Sequence, residues 1–114
     1  MALFLLQYSY TSRAIQSLVD RPDEDRAAEA SAMVASLGGR LLGYWFAFGD
    51  FDGVVLIEAP DNSAAAAVAM VVGGAGTVSR LQTTVLLKME EAREAKRRAA
   101  TATHVPPGDN GRIR

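Results

Sequence analysis

The strongest pattern in the chain is a pair of apolar runs that flank a short polar turn. Residues 41–48 and 54–57 are rich in β-branched and aromatic side chains. Residues 49–53 between them are two glycines, two aspartates and one phenylalanine, and glycine and aspartate tolerate the backbone of a tight turn. The pattern predicts a β-hairpin over residues 40–59, around which the rest of the chain is organised.

The segments on either side of this hairpin predict two more strands and four helices. Residues 2–10 begin with an apolar run and end with tyrosines that alternate with polar residues. Residues 77–87 are rich in β-branched side chains, so both segments indicate strands. Helices are predicted where apolar residues recur at helical spacing or alanine is abundant, in chain order at residues 11–19, 20–37, 64–72 and 88–100.

Some helix ends are marked by particular residues. Thr11 or Ser12 is the expected N-cap of the first helix. Pro22, with an acid on either side, marks the expected start of the second helix, because proline and acidic residues both suit the first helical turn. Gly38 or Gly39 is expected to end that helix in the left-handed conformation.

The main elements follow the order β-α-β-β-α-β, with a short helical turn after the first strand. Two βαβ halves joined by a hairpin define the ferredoxin-like arrangement, an α+β fold. Because crossover connections are right-handed, both main helices are expected on one face of a four-stranded antiparallel sheet.

The opposite face of this sheet needs a cover, because the strands are apolar at both alternating sets of positions. Along the second strand, one set is Leu42, Tyr44, Phe46 and Phe48, and the other is Leu41, Gly43, Trp45 and Ala47. A sheet covered on one side only should alternate apolar and polar residues. We therefore expect an obligate homodimer, sheet against sheet, that buries on the order of 500–800 Å² per subunit. The alternative is that helix 88–100 folds back over the open face.

Composition adds limits to this picture. The chain has 114 residues, which is enough for one small domain, and it has no cysteine, so disulfides and thiolate sites are excluded. No apolar run reaches the roughly 18 residues of a membrane span. The start lacks the features of a signal peptide, so we expect a cytoplasmic protein. The domain is expected over residues 1–87, followed by the charged helix 88–100 and a flexible tail, 101–114.

Four aromatic residues on neighbouring strands are the first candidates for a ligand site. Tyr8, Tyr10, Tyr44 and Trp45 could line a small pocket between the sheet and the helices, where folds of this kind bind ligands. The structural alternative is that they pack in the core and at an interface, with each polar tip finding a partner.

The charged candidates also have structural alternatives. Asp50 and Asp52 could act as a base or bind a cation, or they could stabilise the turn, with Asp52 the better candidate. Arg80 interrupts an apolar strand and needs a partner, either Glu58 or an acidic ligand. His104, the single histidine, lies in the expected tail, where a catalytic base would lack a fixed position.

One motif interpretation is rejected, and a second is not favoured over a solvated helix end. The glycines of residues 73–76 follow a helix, whereas the glycines of phosphate loops precede one. The basic run at residues 96–98 lacks interleaved aromatics and belongs to a chain with net charge −1, which does not favour nucleic-acid binding. No metal or other cofactor is predicted, because a histidine or cysteine ligand set is missing.

Three stretches together resemble the GYD domain family, small bacterial proteins of the dimeric α/β-barrel group. They are GGRLLGYWFAFGDFDGVVLIEAPD, AAAAVAMVVGGAG and TVSRLQTTVLL. The Gly-Tyr-Asp triplet that names the family appears here as Asp50-Phe51-Asp52 after Gly49, with phenylalanine in place of tyrosine. The resemblance covers about residues 1–87 and implies a fold and a dimer. It implies no activity, although related barrels include small monooxygenases and lactone isomerases.

Three hypotheses for function follow. The first is a binding or regulatory homodimer that holds a small apolar or aromatic ligand. The second is a cofactor-free enzyme, monooxygenase-like or isomerase-like, that uses Tyr44, Asp52 or Arg80. The third is an assembly protein that docks on a partner through its basic C-terminal helix.

Overall fold

The computed structural model describes residues 1–108 and contains four strands and four helices within them. In chain order these elements are β1 (Ala2–Tyr10), α1 (Ser12–Asp20), α2 (Arg26–Ser36), β2 (Arg40–Phe46), β3 (Gly53–Ala59), α3 (Asn62–Gly74), β4 (Val78–Leu86) and α4 (Met89–Thr101). Residues 102–108 form neither helix nor strand, and the rest of the tail predicted at 101–114 lies outside the described residues.

The four strands form one sheet in the order β2-β3-β1-β4, and every neighbouring pair is antiparallel. Each crossover joins strands that are not adjacent, as the split βαβ pattern requires. The predicted ferredoxin-like α+β fold is therefore confirmed. β1 lies in the interior of the sheet, between the two strands that come latest in the sequence.

The helix starts are set by side-chain caps. The Thr11 hydroxyl accepts a hydrogen bond from the Ala14 N–H at 3.2 Å, as predicted for α1. The predicted start of the second helix near Pro22 is wrong, because α2 begins at Arg26. Asp25 is its N-cap and accepts from the Ala28 N–H at 2.9 Å. Helix α1 extends to Asp20, and residues 21–25 form the connection between α1 and α2.

The core lies between the sheet and the helices α2 and α3. Alternate residues of β1 and β3 face it and are buried, and they meet the buried residues of the two helices. Its members are Phe4, Leu6, Tyr8, Val34, Val55, Ile57, Ala59, Ala65 and Val68. The period of two along both strands places these side chains on one face of the sheet.

A bulge in β2 changes which residues share a face. Leu41 pairs with Ile57, and the next residue to pair is Gly43, with Leu56, so the register shifts at Leu42. The extra residue places Leu41 on the same face as Tyr44 and Phe46, the face that the helices cover. The predicted division of this strand into two alternating sets is therefore wrong at Leu41.

The other side of the sheet, here called the open face, has no cover among residues 1–108. Its apolar residues are Leu3, Leu5, Trp45, Val54, Leu56 and Leu86, as their pairings across the strands show. Trp45 is 53% exposed, and the other five are half-buried.

Helix α4 does not cover the open face. It has no buried residue, and the molecule is 65 Å long but only 29 and 22 Å in the other two directions. A helix packed across the sheet would bury one side of itself and shorten the long axis. The alternative in which this helix folds back over the sheet is therefore wrong. Among the described residues, no helix is both long and apolar enough to cross a membrane.

We predict that Gly53→Ala destabilises the fold. A Cβ at this position would lie 2.5 Å from two ring carbons of Tyr8, which is itself buried. Relieving this overlap should cost about 1–3 kcal/mol of unfolding free energy. Urea denaturation measures the loss, and Gly49→Ala is the matched control because a Cβ there meets nothing within 4 Å. Equal stability of the two variants would contradict the prediction.

Candidate functional site

A cavity of about 260 Å³ lies between the helix-covered face of the sheet and the helices α2 and α3. Its walls are mainly aliphatic and include Leu6, Ala30, Met33, Val34, Val55 and Val68. The α2 residues at positions 26, 29, 30 and 33 reach it because this spacing places them on one side of a helix. An apolar cavity with a few polar groups is the usual form of a small-molecule site.

Three tyrosines supply the polar groups on the sheet side of this cavity, and they are the three tyrosines of the chain. The hydroxyls of Tyr10 and Tyr44 are hydrogen-bonded at 3.2 Å. The rings of Tyr8 and Tyr10 meet edge to face, with centroids 5.3 Å apart. β1 contributes two of the phenols, and the bulge in β2 turns the third to the same side.

Tyr8 and Tyr10 are held in their protonated form. Burial, followed by hydrogen bonding to Tyr44, raises the pKa of Tyr8 far above its ordinary value of 10.0. Burial also raises the pKa of Tyr10, and its hydrogen bond to Tyr44 adds to the effect. Neutral phenols can both donate and accept hydrogen bonds, but they do not supply a phenolate base near neutral pH. The cluster is therefore suited to bind an oxygen or nitrogen of a ligand.

Beside the tyrosines lies an arginine, Arg26, that forms two ion pairs. Arg26 is paired with Glu29, and with Glu24 at 3.4 Å. Burial works against the charged form of Arg26, but the carboxylates of Glu29 and Glu24 outweigh it and raise the pKa of the guanidinium. Arg26 and Glu29 both line the cavity, so it has a charged side on α2 and a phenolic side on the sheet.

The structure brings together three of the six predicted site residues. Tyr8, Tyr10 and Tyr44 line the cavity, whereas Trp45, Asp52 and Arg80 do not. Trp45 lies on the open face because it pairs with Val54 in the register that follows the bulge. The predicted grouping of Trp45 with the tyrosines is therefore wrong.

Asp52 links the hairpin to the end of β1. Its carboxylate accepts a hydrogen bond from the Tyr10 N–H at 2.8 Å, and its own N–H donates to the Tyr8 carbonyl at 2.8 Å. A third bond runs from the Ala47 N–H to the Asp52 carbonyl at 2.8 Å. This residue holds the backbone of the two cavity tyrosines on β1.

Arg80 lies on the open face of β4, next to the hairpin. Its guanidinium stands 4.3 Å from the centroid of the Phe51 ring and donates to the Asp50 carbonyl at 3.4 Å. The predicted pairing with Glu58 is wrong, since Glu58 pairs with Arg40 at 3.3 Å. Glu58 and Arg80 lie opposite residues 3 and 9 of β1, which sets them roughly 20 Å apart along the sheet.

Within residues 1–108, the remaining candidates do not come together as a metal-binding group. Among residues 1–108, no three histidine, cysteine, aspartate or glutamate side chains come together as a metal site would require. His104 lies after α4 and is exposed. Sequence reasoning missed Arg26 and Glu29, and the signal that could have found them is their place on the same side of α2 as Ala30 and Met33.

The chain belongs to the GYD domain family. The family model matches residues 4–95, which includes β2, β3, β4 and all but the first two residues of β1, and reaches into α4. No protein of curated function matches the sequence.

The chain is similar to solved structures at low sequence identity. The chain is similar to the crystal structure of TTHA0845 from Thermus thermophilus, with a TM-score of 0.53 and 15% identity over 77% of this chain and 95% of that chain. It is also similar to an uncharacterized NIPSNAP domain protein from Burkholderia xenovorans, with a TM-score of 0.45 and 18% identity over 77% and 94% of the respective chains. The similarity to TTHA0845 supports the fold and gives no information about a ligand.

We predict that the fold loses stability as the pH rises above about 10. The unfolded chain releases its tyrosine protons near that pH, while Tyr8 and Tyr10 keep theirs in the fold because their pKa values are raised, so ionisation favours the unfolded state. Tyr8→Phe should make the unfolding free energy less dependent on pH in this range. Urea denaturation at several alkaline pH values measures the slope.

The absorbance of tyrosinate provides a direct check on the folded protein. Because all three tyrosines line the cavity, the whole signal reports on this site. Ionisation of every tyrosine with a midpoint near pH 10 while the protein is still folded would contradict the interpretation.

Proposed function

We propose that this protein is a homodimeric binding protein that holds a small apolar or aromatic ligand in the tyrosine-lined cavity. The observation that supports this function is the combination of an aliphatic cavity with three phenols on one wall. At about 260 Å³ the cavity is larger than the ~150 Å³ that accommodates a benzene ring, so it has room for a fused pair of rings.

The chemistry of the lining favours binding over catalysis. The raised pKa values of Tyr8 and Tyr10 keep both hydroxyls protonated. The carboxylate of Glu29, which also faces the cavity, is paired with Arg26. To accept a proton in an isomerase-like or oxygenase-like reaction, Glu29 would first have to break its ion pair with Arg26. A bound ligand needs only the hydrogen bonds that the phenols offer.

The open face supports the homodimer. Its apolar residues span all four strands, and none of the helices within residues 1–108 packs on it. Large contiguous apolar patches on a protein surface mark interaction sites in soluble proteins. A second copy has the same apolar sheet to offer, so two open faces would cover each other without any further partner.

We predict that filling the cavity weakens ligand binding. Ala30 lies on α2 in the cavity wall, so Ala30→Leu adds side-chain volume where the ligand would bind. The affinity for naphthamide, a neutral two-ring probe, should fall about tenfold or more. Titration followed by the fluorescence of the probe measures this affinity.

Ala32→Leu is the matched control for this prediction. It adds the same atoms to the same helix at an exposed position and should leave the affinity unchanged. If Ala30→Leu folds and binds naphthamide as the unmodified protein does, the cavity is not the binding site.

We predict that a charge in the middle of the open face separates the dimer. Leu56 lies opposite Leu5 at the centre of this face, and Leu56→Lys would bring two ammonium groups into the interface. The expected result is a dimer for the unmodified protein and a monomer for the variant in sedimentation equilibrium.

The single tryptophan offers a second measurement of the same event. Trp45 is on the open face, so its emission should move to longer wavelength when the dimer separates. Val19→Lys is the control, because it places the same charge on α1 at a residue that is 66% exposed. A monomeric unmodified protein at micromolar concentration would refute the homodimer.

A further inference from the structure

A second recess adjoins the tyrosine cavity at the end nearest α1. It has a volume of about 200 Å³ and shares Tyr10, Arg26 and Thr77 with the cavity, so the two spaces meet at these side chains. We call it the arginine recess, because Arg13 and Arg21 of the α1 segment line it together with Arg26.

The arginine recess concentrates positive charge in a chain whose net charge is −1. Three arginine residues line it, and Glu24 is its single acidic lining residue among those that the structure describes. Within residues 1–108, the ion pairs of this region involve Arg26, and the side chains of Arg13 and Arg21 have no carboxylate partner. Two guanidinium groups are therefore available to an anion from outside the chain.

We infer that the ligand is an apolar or aromatic acid, with its body in the tyrosine cavity and its anionic head in the arginine recess. The inference rests on the proposed function, because it specifies the ligand class of the same cavity. Arginine binds carboxylates through paired, charge-assisted hydrogen bonds, which neutral ligands do not offer.

The groups at the junction fit such a ligand. Tyr10 lines both spaces, and its neutral hydroxyl, which is hydrogen-bonded to that of Tyr44, can donate to an oxygen of the head group when Tyr44 donates to it. Ser17 also lines the recess, and its hydroxyl adds one donor of the same kind, whereas the Thr11 hydroxyl already donates to the Thr77 carbonyl at 3.5 Å. The aliphatic wall of the tyrosine cavity offers no partner for a charged group. An amphipathic acid is therefore satisfied in one orientation only, with its apolar body against this wall and its charged head in the arginine recess.

The test compares naphthoate with naphthamide, which share the same rings and differ in the charge of the head group. Binding to the full chain is followed by the fluorescence of each probe. Loss of charge-assisted hydrogen bonds changes affinity by about tenfold or more, so naphthoate should bind at least that much more tightly than naphthamide. In the double variant Arg13→Gln with Arg21→Gln, the affinity for naphthoate should fall to that for naphthamide, which itself stays unchanged.

Arg93→Gln is the matched control for net charge. Arg93 is exposed on α4, far from the recess in sequence, and has no ion pair among the described residues either. This control should keep the full preference for naphthoate. If it lowers the binding free energy of naphthoate by half as much as the double variant, which removes two charges, the preference reflects the overall charge and the inference fails.

The other outcomes separate this inference from the proposed function. If the unmodified protein binds the two probes equally well, the cavity holds ligands but the arginine recess does not select acids, and only the inference is overturned. A preference for naphthoate that persists in the double variant also overturns it. If neither probe binds, the proposed function fails and the inference fails with it.

Discussion

The arrangement of this molecule depends on the hydrogen bonds that Asp52 makes at the base of the β2–β3 hairpin. One side chain and two backbone groups of this residue hold the end of β1 and the first residue after β2 at 2.8 Å each. The carboxylate satisfies the N–H of Tyr10, where the pairing of β1 with β4 also shifts its register. An aspartate at this position therefore fixes where the phenols of β1 stand relative to the hairpin.

The two faces of the sheet differ in what they can do, because the alternation of β2 after the bulge divides its aromatic residues between them. Tyr44 joins the phenols on the face that α2 and α3 cover, and Trp45 lies on the open face. A cavity on one side and an uncovered apolar surface on the other share the same strands. Changes in one face can reach the other only through the backbone of these strands, so the two properties can be altered separately.

The sequence was sufficient for the elements, their order and the group of three tyrosines, since these depend on local periodicity. It was insufficient wherever one extra residue or one strand pairing decides the outcome. The bulge in β2 placed Leu41 on the face of Tyr44, although Gly43, a glycine within a strand, was a signal for it. The partner of Arg80 was missed because β1 lies between β3 and β4, and no local pattern shows how far apart Glu58 and Arg80 stand along that strand.

The position of β1 has a consequence for how the chain reaches this structure. β1 leaves the ribosome well before its neighbours β3 and β4, which begin at residues 53 and 78. Its apolar segment stays without strand partners until most of the domain has been synthesised. Contacts between distant parts of a sequence slow folding, and unpaired apolar strands are prone to aggregate meanwhile. Protection of residues 2–10 during synthesis, by a chaperone or by transient contacts with α1, is therefore a requirement that this topology imposes.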